Sequence, residues 1–214
     1  TAPTETTDGV RTYTAKITIT VYGTEYSDTY QEAIPRLFKV AKIGDTQYSY
    51  LKDAIAAAKS NDVITLLGDV VEPNTSCTVP DFNSIVLDLN GHSVLIDKIY
   101  TDNSFTVKNG SLVCSINNAN SNVGYTLTLD NAKLTCVGVY DSEWGNWLSG
   151  IQWMAKKIAV TNGSTMYVYG GTNLGGGDKD GFNLTIDGTS CVVLENATLS
   201  SYNMTRVKEQ LEQY

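Results

Sequence analysis

Histidine and arginine are nearly missing from this chain. His92 is the single histidine, and Arg11, Arg36 and Arg206 are the arginines among 214 residues. No Cys-x-x-C occurs either, so the histidine and cysteine spacings of a zinc or iron–sulfur site are excluded. Basic residues are outnumbered, with Lys+Arg at 15 against Asp+Glu at 23 and a formal net charge of -8. A phosphate backbone is repelled by that balance, which sets nucleic acid aside as a partner. Polyanionic glycans such as pectate are repelled as well, unless a metal ion bridges them. No run of about 18 apolar residues is present, so no membrane insertion is expected. No basic stretch leading into an apolar core opens the chain, and the expectation is a mature chain from which any signal peptide has gone.

What remains is rich in Thr, Ser, Asn, Gly and Tyr, an extracellular choice of residues. With 42% hydrophobic and 18% charged residues, the chain folds rather than staying disordered. Five Asn-x-Ser/Thr sequons, at Asn74, Asn162, Asn183, Asn196 and Asn203, are explained by Asn-rich turns beside Thr-rich strands. The cysteines are Cys77, Cys114, Cys136 and Cys191, and four allow three disulfide pairings.

Residues 1–9 read as a frayed polar leader. Tyr13, Ala15, Ile17, Ile19 and Val21 then alternate with polar residues, which predicts a half-buried strand. Gly23 turns the chain, and Tyr26–Tyr30 returns as a hairpin arm. Residues 1–36 therefore form an N-terminal strand or hairpin segment, possible only with padding from elsewhere because two strands alone are unstable. Residues 37–214 form the second unit. Within it, Phe38, Val40 and Ile43 predict a strand. Leu51, Ala54, Ile55 and Ala58 fall on one face of a helix over Ser49–Lys59, with Ser49 as N-cap.

After residue 76 the chain repeats. The segments SIVLDLNGHSVLI, SFTVKNGSLVCSI, YTLTLDNAKLTCV, KIAVTNGSTMYVY and FNLTIDGTSCVVLENATL each hold alternating apolar residues, a polar turn, and a second apolar strand. Leu89, Val107, Leu129, Val160 and Ile186 are aligned as equivalent inward positions, at spacings of 18, 22, 31 and 26 residues. Such repetition indicates a solenoid, since one unit cannot bury its own apolar face. Val94, Leu112 and Leu134 form one inward column, and Ile96, Cys114 and Cys136 the next. Asn at each bend suits a left-handed backbone and lets stacked side chains bond one another. Cys114 and Cys136 are close enough for a disulfide or for a buried thiol pair. The helix over Ser49–Lys59 would cap the N-terminal end, and residues 204–214 are a second helix, either a cap or the start of a linker.

The run AKIGDTQYSYLKDAIAAAKSNDVITLLGDV, followed by IVLDLNGHSV, resembles a module of the pectin-lyase-like right-handed β-helix superfamily. It is similar in particular to modules of large surface proteins from gut Firmicutes and related bacteria, over about residues 38–200. Asn61-Asp62 stands where that pattern usually has Gly-Asp. The resemblance implies an all-β fold, a short right-handed single-stranded parallel β-helix with an N-terminal capping helix behind a β-hairpin or small β-unit. It also implies an extracellular location, secreted or attached to the cell wall, beside neighbouring domains of a larger surface protein.

Lyase or hydrolase chemistry, common in that superfamily, finds little support in the residues. β-Elimination needs an Arg or Lys base near a carboxylate-bound Ca²⁺. No arginine lies between Arg36 and Arg206, and Lys108 and Lys133 have no cluster of three Asp. Hydrolysis needs two carboxylates about 5–9.5 Å apart, whereas Asp88, Asp130, Asp187 and Glu195 are scattered over turns and strands. His92 reads as an outward structural residue. The expected function is therefore non-catalytic adhesion or glycan binding to a host or cell-surface ligand, with a divergent polysaccharide-active enzyme and a rigid spacer as alternatives.

The insertion at residues 139–157 gathers Trp144, Trp147 and Trp153 with Tyr140, Asp141 and Glu143. Either its aromatic rings stack on sugar faces, or the loop folds back and its tryptophans cover a flank. In GGTNLGGGDKDG, residues 170–181, a turn is expected, with Ca²⁺ at Asp178 and Asp180 as the alternative. No other cofactor is implied.

Overall fold

The computed structural model describes residues 1–19, 24–80, 84–118, 125–137, 140–141, 146–147, 150–153, 157–169, 172–174, 183–195 and 199–200. The described chain is mostly strand with one helix, and the fold is of the all-β class. Contacts divide it into two units, Thr1–Lys39 and Val40–Tyr214, a boundary three residues beyond the expected one.

In the first unit, β1 (Gly9–Ile19) and β2 (Thr24–Ile34) pair antiparallel, with Tyr13 opposite Tyr30. The hairpin is as expected, but half-burial is not. Tyr13 is 47% and Tyr30 66% exposed, because two strands cannot enclose a side chain. The two rings stack on each other instead, 6.0 Å between centroids. The leader is also tied down rather than frayed. Val10 N–H donates to Thr1 C=O and Leu37 N–H to Thr4 C=O, each at 2.9 Å, and Arg36 N–H donates to Asp8 Oδ1 at 3.0 Å.

The second unit opens with β3 (Ala41–Ile43), antiparallel both to β4 (Thr46–Tyr48) and to β5 (Val63–Leu66). Between them lies helix α1 (Leu51–Ala57). Its buried face is the one read from spacing: Leu51, Ala54 and Ile55 are fully enclosed, with Ala58 just past the end. The helix is shorter than its apolar pattern, and Tyr50, not Ser49, is the N-cap. Ser49 is buried, so tertiary packing overrides its capping preference.

From here parallel pairing takes over. β6 (Val70–Thr78), β7 (Ile85–Asp88), β8 (Ser93–Tyr100), β9 (Phe105–Asn118) and β10 (Thr126–Val137) are followed by the short antiparallel pair β11 (Tyr140–Asp141) and β12 (Asn146–Trp147). Then come β13 (Ile151–Trp153), β14 (Lys157–Thr161), β15 (Thr165–Tyr169), β16 (Thr172–Leu174), β17 (Asn183–Ile186), β18 (Cys191–Glu195) and β19 (Leu199–Ser200). One parallel series runs β5–β7–β9–β10–β14–β17. A second runs β6–β8–β9–β10–β15–β18. A third joins β9, β13, β16 and β19. The long strands β9 and β10 turn a corner midway, β10 serving two series and β9 all three. Because of the antiparallel partners of β3 and of β11, the sheets as a whole are mixed.

Register explains the core. Alternation points every second side chain inward. Parallel pairing then stacks equivalent residues: Ile85, Phe105, Leu127, Ile158 and Leu184 in one column, Val94, Leu112, Leu134 and Met166 in another. All are buried. The column predicted through Val94, Leu112 and Leu134 is present. The predicted alignment of Leu89 with Val107 is not: Val107 pairs with Leu87. Asp88 pairs with Lys108 and Ser93 with Ser111, so Leu89 to His92 fill a bend that Asn109 and Gly110 fill one strand later. Both Leu87 and Leu89 point inward, and alternation alone does not tell them apart.

That larger bend leans on its neighbour. A Cβ built on Gly110 would lie 2.5 Å from His92 C=O and 2.6 Å from Leu89 Cβ. Neither is the end of a flexible side chain. Gly110→Ala is expected to cost about 1–3 kcal/mol, read as a lower urea midpoint. Gly188→Ala, whose Cβ meets nothing within 4 Å, is the control and should leave the midpoint nearly unchanged.

Candidate functional site

The corners of the parallel stack are made by asparagine. Asn90, Asn109, Asn131 and Asn162 have φ of 49°, 57°, 50° and 55°, a left-handed conformation that Asn enters at lower cost than other non-glycine residues. Their amides link successive strands. Asn131 Nδ2 donates to Asn109 Oδ1 at 3.2 Å, and Asn109 Nδ2 to Asp88 Oδ1 at 3.1 Å. Asn90 Nδ2 donates to Leu66 C=O at 3.2 Å. Asn162 binds two carboxylates, its N–H donating to Asp187 Oδ2 and its side-chain amide to Asp130 Oδ1. The bonded Asn corners expected from the sequence are therefore present.

These bonds also engage three of the carboxylates considered for hydrolysis, Asp88, Asp130 and Asp187. Burial would raise the Asp88 carboxyl. Hydrogen bonds from Asn109, Asn90 N–H and Lys108 outweigh that and hold it below its ordinary value. Lys108 Nζ lies 3.3 Å from Asp88 Oδ2. Asp187 is lowered to about 2 by the Ser190 side chain, then by Asn162 N–H and by Thr189. Carboxylates held ionised by donors on every side serve poorly as general acids. His92 Nδ1 lies 3.4 Å from Asp69 Oδ1 at the outer edge of its bend.

Alongside the corner runs a groove of about 590 Å³. Asn90, Asn109 and Asn131 form one wall, and Ser111, Lys133 and Thr165 the other, with Gly110 and Ala132 between. Parallel register puts Ser93, Ser111, Lys133, Thr165 and Cys191 in one row. The groove therefore offers amides, hydroxyls and one ammonium, and among the described residues no carboxylate, thiol or imidazole lines it. Such a lining can hydrogen-bond a polyol. Sequence reading missed these residues. The available signal was their position, two residues after the turn Asn for Ser111 and Lys133 and three for Thr165.

The predicted aromatic platform fares differently. Trp153 is buried, and its Nε1–H donates to Lys157 C=O at 3.0 Å. It belongs to the core, as the fold-back reading has it, because β13 is stacked on β9 with Ile151 opposite Ile116. Tyr140 and Asp141 pair through their backbones with Trp147 and Asn146. Glu143, Trp144, Asp178 and Asp180 lie outside the described residues, as does the 204–214 segment. Among the described residues no group of three or more His, Cys, Asp or Glu is arranged to hold a metal ion, and no helix is long and apolar enough to cross a membrane.

All four cysteines are free thiols, so Cys114 and Cys136 are not bridged. Each directly follows a paired residue, Val113 and Thr135, which makes them neighbours across adjacent strands. Burial pushes both far up, and Cys77 to about 12. Cys191 is exposed.

A scan against family models matches none, and comparison with curated proteins and with solved structures likewise returns no match.

Two outcomes are expected. A thiol reagent at pH 8 should modify Cys191 alone in the native protein and the other three only after unfolding, with mass unchanged by reductant; a mass gain on reduction contradicts the free-thiol pair. For Asp187, a lowered folded pKa means that the unfolded chain binds more protons, so its stabilisation is complete above about pH 4 and drains away as pH falls toward about 2. The melting temperature of the wild type should therefore drop over that interval more than that of Asp187→Asn.

Proposed function

We propose that this chain is a short right-handed parallel β-helix of the pectin-lyase-like type. It serves as an extracellular module of a bacterial surface protein and binds glycan without turning it over. Three parallel series that share β9, two of them also sharing β10, support the coil together with the bends at the corners. Its hand follows from the strong preference for right-handed crossovers between parallel strands. Helix α1 is its N-terminal cap, covering the edge near β6.

The observation that carries the binding reading is the corner groove. Amides, hydroxyls and the Lys133 ammonium are set there by the register of successive strands. Rigid, prepositioned donors and acceptors keep the ordering cost of binding low. Binding needs no metal in this reading.

A glycan array tests it, paired with turnover assays on a polysaccharide panel. Binding without release of reducing ends or unsaturated products, persisting in a chelator, is expected, and Lys133→Glu should weaken it roughly tenfold. Product release would establish the enzyme instead. Silence in both assays would leave a rigid spacer, the reading favoured by the unbroken buried columns.

A further inference from the structure

The first unit, Thr1–Lys39, carries two open strand edges. Among the described residues no strand lies beyond β1 or β2. A two-stranded sheet is marginal by itself and gains stability from further strands. Both edges are suited to take one. The register of β1 on β2 is unbroken, so no bulge bends either strand, and neither contains proline. Of the features that keep sheet edges apart, only charge is present.

The hydrogen bonds show which residues face outward. In an antiparallel pair, residues that bond across the pair alternate with residues whose N–H and C=O point away. Val10 is of the second kind. Its N–H donates to Thr1 C=O at 2.9 Å, and its C=O accepts from the Thr1 nitrogen. Alternation then turns Thr12 and Thr14 outward on β1, and their partners Gln31 and Thr29 outward on β2. Thr29 agrees, since its N–H donates to Asp28 Oδ1 at 2.9 Å and not across the hairpin.

Charge decides which edges meet. β1, GVRTYTAKITI, holds two basic residues and no acidic one, and β2, TEYSDTYQEAI, three acidic and no basic one. Pairing β1 with β1 of another copy gathers basic residues alone, and β2 with β2 acidic residues alone, and like charges across strands destabilise a sheet. Pairing β1 with β2 of the next copy joins opposite signs. The hairpin's own register carries across that joint. Thr12 then bonds Gln31 and Thr14 bonds Thr29 through their outward groups, while Arg11 faces Glu32 and Tyr13 faces Tyr30. The tyrosine stack within each copy thereby continues into the next. The net charge of -8 resists this little, because residues 1–39 hold five acidic and four basic side chains.

We propose that the hairpin joins copies of this chain head to tail, β1 of one against β2 of the next, as one continued antiparallel sheet. Such a heterologous joint leaves a free edge at each end, so it closes into a ring or runs on as copies are added. It draws on none of the groove residues.

The test is sedimentation velocity and amide hydrogen exchange of the full chain over a concentration series, in reductant so that the exposed Cys191 does not cross-link copies. Mass should rise beyond that of a dimer, and the amides of Thr12, Thr14, Thr29 and Gln31 should gain protection in step. Thr14→Pro and Thr29→Pro each remove an outward N–H and no bond between β1 and β2, a change that edge strands tolerate. Each variant alone should need at least about tenfold more protein to associate. An equimolar mixture should form a dimer that grows no further, because one unblocked edge of each kind remains. A wild type that stays monomeric throughout overturns the proposal. Association abolished by only one of the two variants marks a twofold pairing of like edges and overturns it. Association that neither variant alters lies elsewhere in the molecule and overturns it as well. Should the mixture fail to associate, the wild type decides: protection at both edges together with mass beyond a dimer upholds the joint, and protection at one edge or neither overturns it.

Discussion

Parallel in-register hydrogen bonding between successive strands is the constraint from which the rest follows. It satisfies the backbone of β7, β9, β10 and β14 and in the same act superimposes their side chains. Columns such as Phe105, Leu127 and Ile158 are buried because register puts each on top of the last. A single strand of this kind has nowhere to hide its apolar face, so stability is collective along the stack. The hairpin of β1 and β2 is the counterexample, since β1 alternates as clearly and yet Tyr13 and its partner Tyr30 remain exposed.

The same register organises the surface. An inward column requires an outward one, and a bend repeated at equal height lines up its Asn residues. The amide ladder through Asp88, Asn109 and Asn131 is therefore a product of stacking, as is the wall of Ser111, Lys133 and Thr165 beside it. Carboxylates that could pass for catalytic ones are taken up by this architecture: Asp130 and Asp187 both accept from Asn162.

Period-two patterning made much of this legible. The column through Val94, Leu112 and Leu134, the apolar face of α1, and the left-handed asparagines all follow from spacing and residue type. Register at the first bend did not, because Leu87 and Leu89 have the same parity and only the two extra residues before Ser93 distinguish them. Trp153 stands among insertion residues in the sequence, and nothing local signals that β13 joins the stack. Burial of Ser49 and exposure of Tyr13 are tertiary facts, set by what packs nearby rather than by the residue. The groove escaped notice because none of its residues is chemically conspicuous; what distinguishes them is recurrence at one position of the repeat.

The corners bear on how the protein ages. Asn-Gly pairs are the sequences most prone to spontaneous deamidation, in which the following backbone nitrogen attacks the Asn side-chain carbonyl to close a succinimide. At two of the three Asn-Gly pairs that nitrogen is occupied: Gly91 N–H donates to Asn109 C=O and Gly163 N–H to Thr189 Oγ1. A rigid left-handed backbone opposes the rotation that ring closure requires. Those two bends are thereby held against a decay that is open to a flexible peptide.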